Sequence, residues 1–97
     1  MNVPDQEWNK VLQMIEKAVA DGHQQTLLSI MLTADEREAL ATRAKILDML
    51  LNQQCSQRQI SQDLGVGIAT VTRGNNELKA RSKEEIKILS DLLQLNK

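Results

Sequence analysis

Apolar residues recur at three-and-four spacing along most of this 97-residue chain, which is the period of amphipathic helices rather than strands. Trp8, Val11, Leu12, Ile15, Ala18 and Val19 fall on one face of a helix expected over residues 5–20, with Pro4 leading in and Asp21 and Gly22 ending it. A short second helix is expected from about Gln24 to Met31. Its stretch Leu27, Leu28, Ile30, Met31, Leu32 is apolar almost all round. Thr33 and Glu36 have the spacing of a capping box and open a long third helix, Ala34 to about Asn52, with Ala39, Leu40, Arg43, Ala44, Ile46, Leu47, Leu50 and Leu51 on or beside its inner side. At the far end, Ser82 with Glu85 caps a last helix from Lys83 to Leu95, carrying Ile86, Ile88, Leu89, Leu92, Leu93 and Leu95.

Between these lies Ser56 to Lys79, SQRQISQDLGVGIATVTRGNNELK, which has the grammar of two short helices around a tight turn. Ser56 is the N-cap and Gln59 its capping-box partner, Ile60 and Leu64 mark one face, and Gly65 stops the helix. After Gly65, Val66 and Gly67 a second helix begins at Ile68 with Val71 as its inward anchor; Asn75 and Asn76 are expected to loosen or end it, although helical character can run on to Lys79. Helices this short persist only if Ile60, Leu64, Val66, Ile68 and Val71 close a shared apolar contact. That leaves Gln57, Arg58, Ala69, Thr70 and Thr72 to face outward, the arrangement of a helix-turn-helix whose second helix enters the DNA major groove. Small residues there allow close approach, with a methyl to meet a thymine methyl and hydroxyls for phosphate or base edges. The alternatives are an ordinary piece of helical core and a protein-binding module.

The fold class expected is therefore all-α, six helices in one domain, 1–97, with short loops throughout. Charge sharpens the picture. The chain carries net −1, but Met1 to Cys55 has five basic and eight acidic residues, whereas Ser56 to Lys83 has five basic residues against Asp63 and Glu77. A basic segment that coincides with the motif is what phosphate contact requires. Trp8 is the sole aromatic residue apart from His23, yet aliphatic residues cover more than one narrow stripe of the predicted helices. So much aliphatic surface in a chain this small points to an obligate dimer with a shared core; the alternative is a compact monomer with unusually broad buried stripes.

Single chemical groups add little. Cys55 and His23 each stand alone, no cluster has metal-ligand spacing, and no nucleophile has a base and an orienting group. No catalytic residue, metal or enzymatic activity is expected. No stretch reads as a signal peptide or a membrane span, so the expected location is cytoplasmic. Arg43 is the misfit, a charge set among Leu40, Ala44 and Leu47 where it is costly unless paired or placed at a cleft. Arg73 precedes Gly74. If the fold brings Arg43 and Arg73 together, their guanidinium planes can cover an aromatic ligand while their donors meet a carboxylate; otherwise Arg43 snorkels and Arg73 meets phosphate.

MLTADEREALATRAKIL, Met31 to Leu47, together with Ser56 to Lys79 resembles the Trp repressor family, and the likeness extends over nearly the whole chain. The resemblance implies an intertwined homodimer, with 1–55 and 83–97 mainly dimer core and 56–79 the DNA-reading head. It also implies L-tryptophan as corepressor and a pseudo-palindromic operator near tryptophan biosynthesis genes. The two heads would meet successive major grooves about 34 Å apart, the spacing known for helix-turn-helix dimers, the Trp repressor among them. Arg43 and Arg73 match the two arginines that sandwich the indole, Arg73 also meeting the carboxylate. Thr33 matches a nearby hydroxyl, Gly74 the glycine that leaves room beside the ring, and backbone carbonyls around Ile30 and Leu32 of the other subunit match acceptors for the ammonium. Gln57, Arg58, Ile68, Ala69, Thr70, Thr72 and Lys79 match positions that meet bases, ordered water or phosphates. The resemblance implies that much of the base reading runs through water, and a face of small residues agrees with it.

Two positions depart from the family pattern. Glu77 stands where a small hydroxyl residue commonly helps hold the ligand ammonium; a carboxylate can serve that cation, or pair with Arg73 four residues earlier and compete for its donors. Ser61 stands where a lysine occurs in family members, which shifts phosphate contact toward Arg58 and Lys79. Two other functions remain open: a DNA-binding regulator of the same fold that is constitutive or senses another small molecule, and a helical dimerisation or protein-interaction module.

Overall fold

The computed structural model describes residues 5–96 and consists of six α-helices with no strand among them. They are α1 (Asp5–Ala20), α2 (Gln24–Met31), α3 (Ala34–Leu51), α4 (Gln57–Leu64), α5 (Ile68–Lys79) and α6 (Lys83–Leu93), followed by a 3-10 turn over Gln94–Asn96. Pro4, expected to lead into α1, lies outside the described residues. The chain divides into two compact units, Met1–Glu38 and Ala39–Lys97.

In the first unit, α1 stops where Gly22 takes up φ +77° and the amides of Asp21 and His23 fold back onto the carbonyls of Lys17 and Ala18. A residue with a Cβ is strained at that φ, so Gly22 sets the turn. Thr33 and Glu36 form both halves of the expected capping box: the Glu36 amide donates to Thr33 Oγ1 at 3.1 Å and the Thr33 amide to Glu36 Oε1 at 2.8 Å. Those bonds, the backbone amide first, hold the Glu36 carboxyl below the usual glutamate range. No side chain of α1 or α2 is fully buried. Val11, Ile15, Ala18 and Leu27 are half-covered, while Trp8, Leu12, Met14, Val19, Leu28, Ile30 and Met31 are exposed.

The second unit has a small, well-defined centre. Ile46 of α3, Ile60 of α4 and Val71 of α5 are buried, one from each helix, with Met49, Leu50, Cys55, Leu64 and Val66 packed around them. Full burial of aliphatic side chains of this size contributes about 1.5–3 kcal/mol each, enough to hold two helices that would melt if isolated. Beyond Leu51, Asn52 forms a turn and joins α3 to α6: its Nδ2 donates to Asp48 Oδ1 at 2.8 Å, and its Oδ1 accepts from Ser90 Oγ at 2.6 Å and from Gln94 Nε2 at 3.3 Å. α6 opens with a complete capping box between Ser82 and Glu85. Ile86, Leu89 and Leu93 lie on its half-covered side, whereas Ile88, Leu92 and Leu95 are exposed.

Four local expectations are corrected. α5 runs through Asn75 and Asn76 without the break expected there, and ends at Lys79, the further limit allowed from the sequence, its backbone bonds continuing to Ala80. α6 ends two residues before Leu95, tightening into the 3-10 turn. Gln59 is not a reciprocal capping partner: its amide donates to Ser56 Oγ at 3.1 Å, but its side chain turns forward to Asp63 at 2.7 Å. Ile68 does not join the apolar contact. As the first residue of α5 it precedes the packed turn, and it is 51% exposed.

Candidate functional site

The α4–turn–α5 unit is built outward from its buried residues. Ser56 caps α4, and Gly65 ends it at φ +65° in the left-handed region, sending its amide to the Ser61 carbonyl. Val66 then turns inward onto the core, and its amide also reaches the Ser61 carbonyl, at 3.2 Å. Ser61 Oγ in turn donates to the Val66 carbonyl at 2.6 Å. The two helices are joined a second time where Thr72 Oγ1 donates to Gln57 Oε1 at 2.8 Å. Gln57 and Thr72 are therefore half-covered and tied to each other, not presented freely as their spacing had suggested.

What remains outward is Arg58 on α4 and Ile68, Ala69, Thr70 and Lys79 on α5, all exposed. The start of α5 has no side-chain cap and no acidic residue in its first turn. The Thr70 amide bonds the Gly67 carbonyl at 3.0 Å, and the positive end of the helix dipole at this terminus favours an acceptor such as a phosphate oxygen. The small side chains of Ala69 and Thr70 keep that approach open.

Arg43 and Arg73 are both exposed, and neither forms an ion pair or hydrogen bond among the described residues. The burial cost expected for Arg43 does not arise in this chain. Gly74 explains how the two helices carrying these arginines approach: a Cβ built on it would lie 3.2 Å from Ile46 Cγ2, 3.8 Å from Leu47 Cδ2 and 3.9 Å from Leu50 Cδ1. The absent side chain thus admits α3. Arg43 lies three residues before Ile46 on α3, and Arg73 immediately precedes Gly74 on α5.

Glu77 does not compete for Arg73. It pairs with Arg81, whose guanidinium also reaches Glu85 Oε2 at 3.4 Å. An acid preceding its base by four residues is the better helical orientation, and Arg81 gains a second acid from α6 that Arg73 lacks. In the first unit, the Thr33 hydroxyl oxygen serves the α3 cap and the Leu32 carbonyl accepts from Arg37 Nη1 at 3.0 Å. Ile30 is exposed and lines an open groove of about 720 Å³ along α1 and α2 with Lys10, Met14, Lys17 and Leu27. No group of His, Cys, Asp or Glu among the described residues is arranged to hold a metal, and no described helix is long and apolar enough to cross a membrane.

Three contributors escaped sequence reasoning. Arg37 holds the end of α2, Arg81 takes Glu77, and Ser61 closes the turn. The acids four residues either side of Arg81 were a readable signal. The other two bonds span eight residues or fewer, but nothing in their spacing marks them.

A family model described as Trp repressor protein matches residues 6–93. A Trp operon repressor homolog of Vibrio cholerae is 53% identical over 87 residues, covering 90% of this chain and 84% of that protein. One from Aliivibrio fischeri is 51% identical over 88 residues, with 91% and 82% covered, and one from Vibrio atlanticus is 46% identical over 86 residues, with 89% and 88% covered.

Proposed function

The chain belongs to the Trp repressor family, a family of DNA-binding regulators rather than enzymes, and we propose that it is a tryptophan-dependent repressor acting as a homodimer on a pseudo-palindromic operator. The observation that carries the reading is one of placement. A single compact unit holds the exposed residues Arg58, Ile68, Ala69, Thr70 and Lys79 on the helix-turn-helix, and two uncommitted arginines, Arg43 on α3 and Arg73 on α5, the residue before the glycine that packs on α3. The same helix, α5, carries both.

On this reading Arg43 and Arg73 cover the indole of L-tryptophan and Arg73 takes its carboxylate. Thr33 and Glu77 are the further polar contacts, and Gly74 sets how close α5 comes to α3. The ammonium meets Glu77 and the carbonyls around Ile30 and Leu32 of the second subunit, each of which has a lone pair to spare even where Arg37 already donates. Glu77, held by Arg81 and not by Arg73, leaves the Arg73 donors to the ligand. Gln57 and Thr72 act on DNA as a bonded pair. The uncovered aliphatic residues of α1, α2 and α6 supply the dimer interface: with no α1 or α2 side chain fully buried, the first unit lacks a core of its own. The protein acts in the cytoplasm on chromosomal DNA.

The effector works by biasing geometry. Binding at the α3–α5 junction favours the head position that fits both grooves, and apparent affinity rises in proportion to the competent fraction. The test is a titration of operator duplex and scrambled duplex at one fixed salt concentration, with and without saturating L-tryptophan. Operator preference that strengthens with tryptophan supports the proposal. Preference without a tryptophan response identifies a constitutive regulator or another effector, and no preference at all identifies an interaction module.

A further inference from the structure

Arg73 and Arg81 stand four residues either side of Glu77, so one carboxylate has two guanidiniums within about a helical turn. Among the described residues only Arg81 takes it. The choice follows from what holds Arg81. Glu85 is fixed by the capping box of α6, its Oε1 accepting from the Ser82 amide at 3.1 Å and from Ser82 Oγ at 3.2 Å. Its other oxygen, Oε2, meets Arg81 Nη1 at 3.4 Å, while Nη2 of the same guanidinium meets Glu77. The Arg81 amide also closes onto the Leu78 carbonyl at 3.2 Å, which keeps the residue beside the last turn of α5. A relay thus runs from Ser82 through Glu85 and Arg81 to Glu77, and it stops short of Arg73.

We propose, on the reading above that Arg73 takes the effector carboxylate, that Arg81 is a positioning residue for that contact: by holding Glu77 it keeps the Arg73 donors open to an acid, whether or not the ligand carries an amine. Arg81 acts only through Glu77. The other positions three and four residues from Glu77 are Gly74, Ala80 and Arg73, so without Arg81 the one cation left within helical reach is Arg73 itself. Glu77 then pairs with Arg73 and must be displaced by an incoming carboxylate. Glu77 and Arg81 are both about half exposed, with side-chain exposures of 60% and 49%. The competition is therefore that of a surface ion pair, a loss of about two- to fivefold in affinity. A ligand that also carries an ammonium recovers most of it, because the displaced Glu77 serves that cation.

Calorimetric titration of the full chain with L-tryptophan and with indole-3-propionate, which has the ring and the carboxylate but no amine, tests this. The parent should bind both. Arg81→Ala should weaken the propionate about two- to fivefold and L-tryptophan by less than about twofold. Arg81→Lys, which keeps a cation four residues after Glu77, should restore parental values. Glu77→Gln added to R81A should remove the loss for the propionate, because no carboxylate is left to occupy Arg73. An unchanged propionate affinity in R81A, an equal loss for both ligands, or a loss that persists with E77Q overturns the proposal, as does a parent that binds L-tryptophan but not the propionate. If the parent binds neither ligand, or if Arg73→Ala leaves both affinities unchanged, the effector reading itself fails and the role of Arg81 falls with it.

Discussion

Gly74→Ala sets two opposed effects of known size against each other. Gly74 lies inside α5 with no positive φ, so alanine there gains about 0.8–1.0 kcal/mol of helix propensity. The new methyl would sit 3.2 Å from Ile46 Cγ2, with Leu47 and Leu50 at ordinary contact distance. Ile46 is 1% exposed and wedged against Ile60 and Val71, so it has little room to give. Overpacking a filled site costs about 1–3 kcal/mol. The crowding therefore wins or draws, and the variant should be destabilised by up to about 2 kcal/mol. Equilibrium urea unfolding followed by circular dichroism, at one fixed protein concentration because the stability of the proposed dimer depends on it, reads the difference directly. Because the methyl also wedges α5 from α3 beside Arg73, the same variant should lose tryptophan affinity. A gain in stability of about 1 kcal/mol, the full propensity term, would refute the close contact between α5 and α3.

Ile60→Ala should cost about 2–5 kcal/mol in the same unfolding experiment, since it empties part of a core of three buried residues; Ile68→Ala, at an exposed position, should stay within about 0.5 kcal/mol while reducing operator affinity. Arg58→Ala removes one candidate phosphate contact per head, so the slope of log affinity against log salt should fall by roughly 2 per dimer, and an unchanged slope would place Arg58 off the phosphates. Arg43→Ala should abolish most of the tryptophan response in the operator titration yet leave the dimer intact by sedimentation, because the side chain is exposed and fills no core volume. For pH, the bond from the Ser82 amide holds the Glu85 carboxyl below its ordinary range, with the Ser82 hydroxyl and Arg81 adding to the effect. A lowered folded-state value means the stabilisation is present above the unfolded value of about 4.3 and is lost as pH falls through the folded one. Parent and Glu85→Gln should therefore differ at neutral pH and converge in acid; parallel pH profiles would contradict the assignment.

Helix existence was readable from local rules. Thr33 with Glu36, Ser56, Gly65, and Ser82 with Glu85 each act within one turn, and the structure shows those bonds where the spacing put them. The buried centre was partly readable, since Ile60 and Val71 stood out by period and Ile68 was wrongly grouped with them. Side-chain partner choice was the weak point. Gln59 had both Ser56 and Asp63 within reach, and Glu77 had both Arg73 and Arg81. Spacing along a helix offers each side chain two neighbours and does not say which it takes.

By itself, then, the sequence determined the six helices, most of their caps, the helix-turn-helix and the family. These rest on hydrogen bonds and apolar faces that close within a few residues or repeat with a fixed period. Only the tertiary structure decided that Gly74 admits α3, that Ser61 fastens the turn, that Gln57 and Thr72 hold each other, and that Arg43 and Arg73 stay uncommitted while Arg81 takes Glu77. The Gly74 contact and the Gln57–Thr72 bond depend on what comes within reach when separate helices pack around Ile46, Ile60 and Val71, whereas the Ser61 and Arg81 bonds are local choices among several allowed neighbours, which spacing alone does not settle.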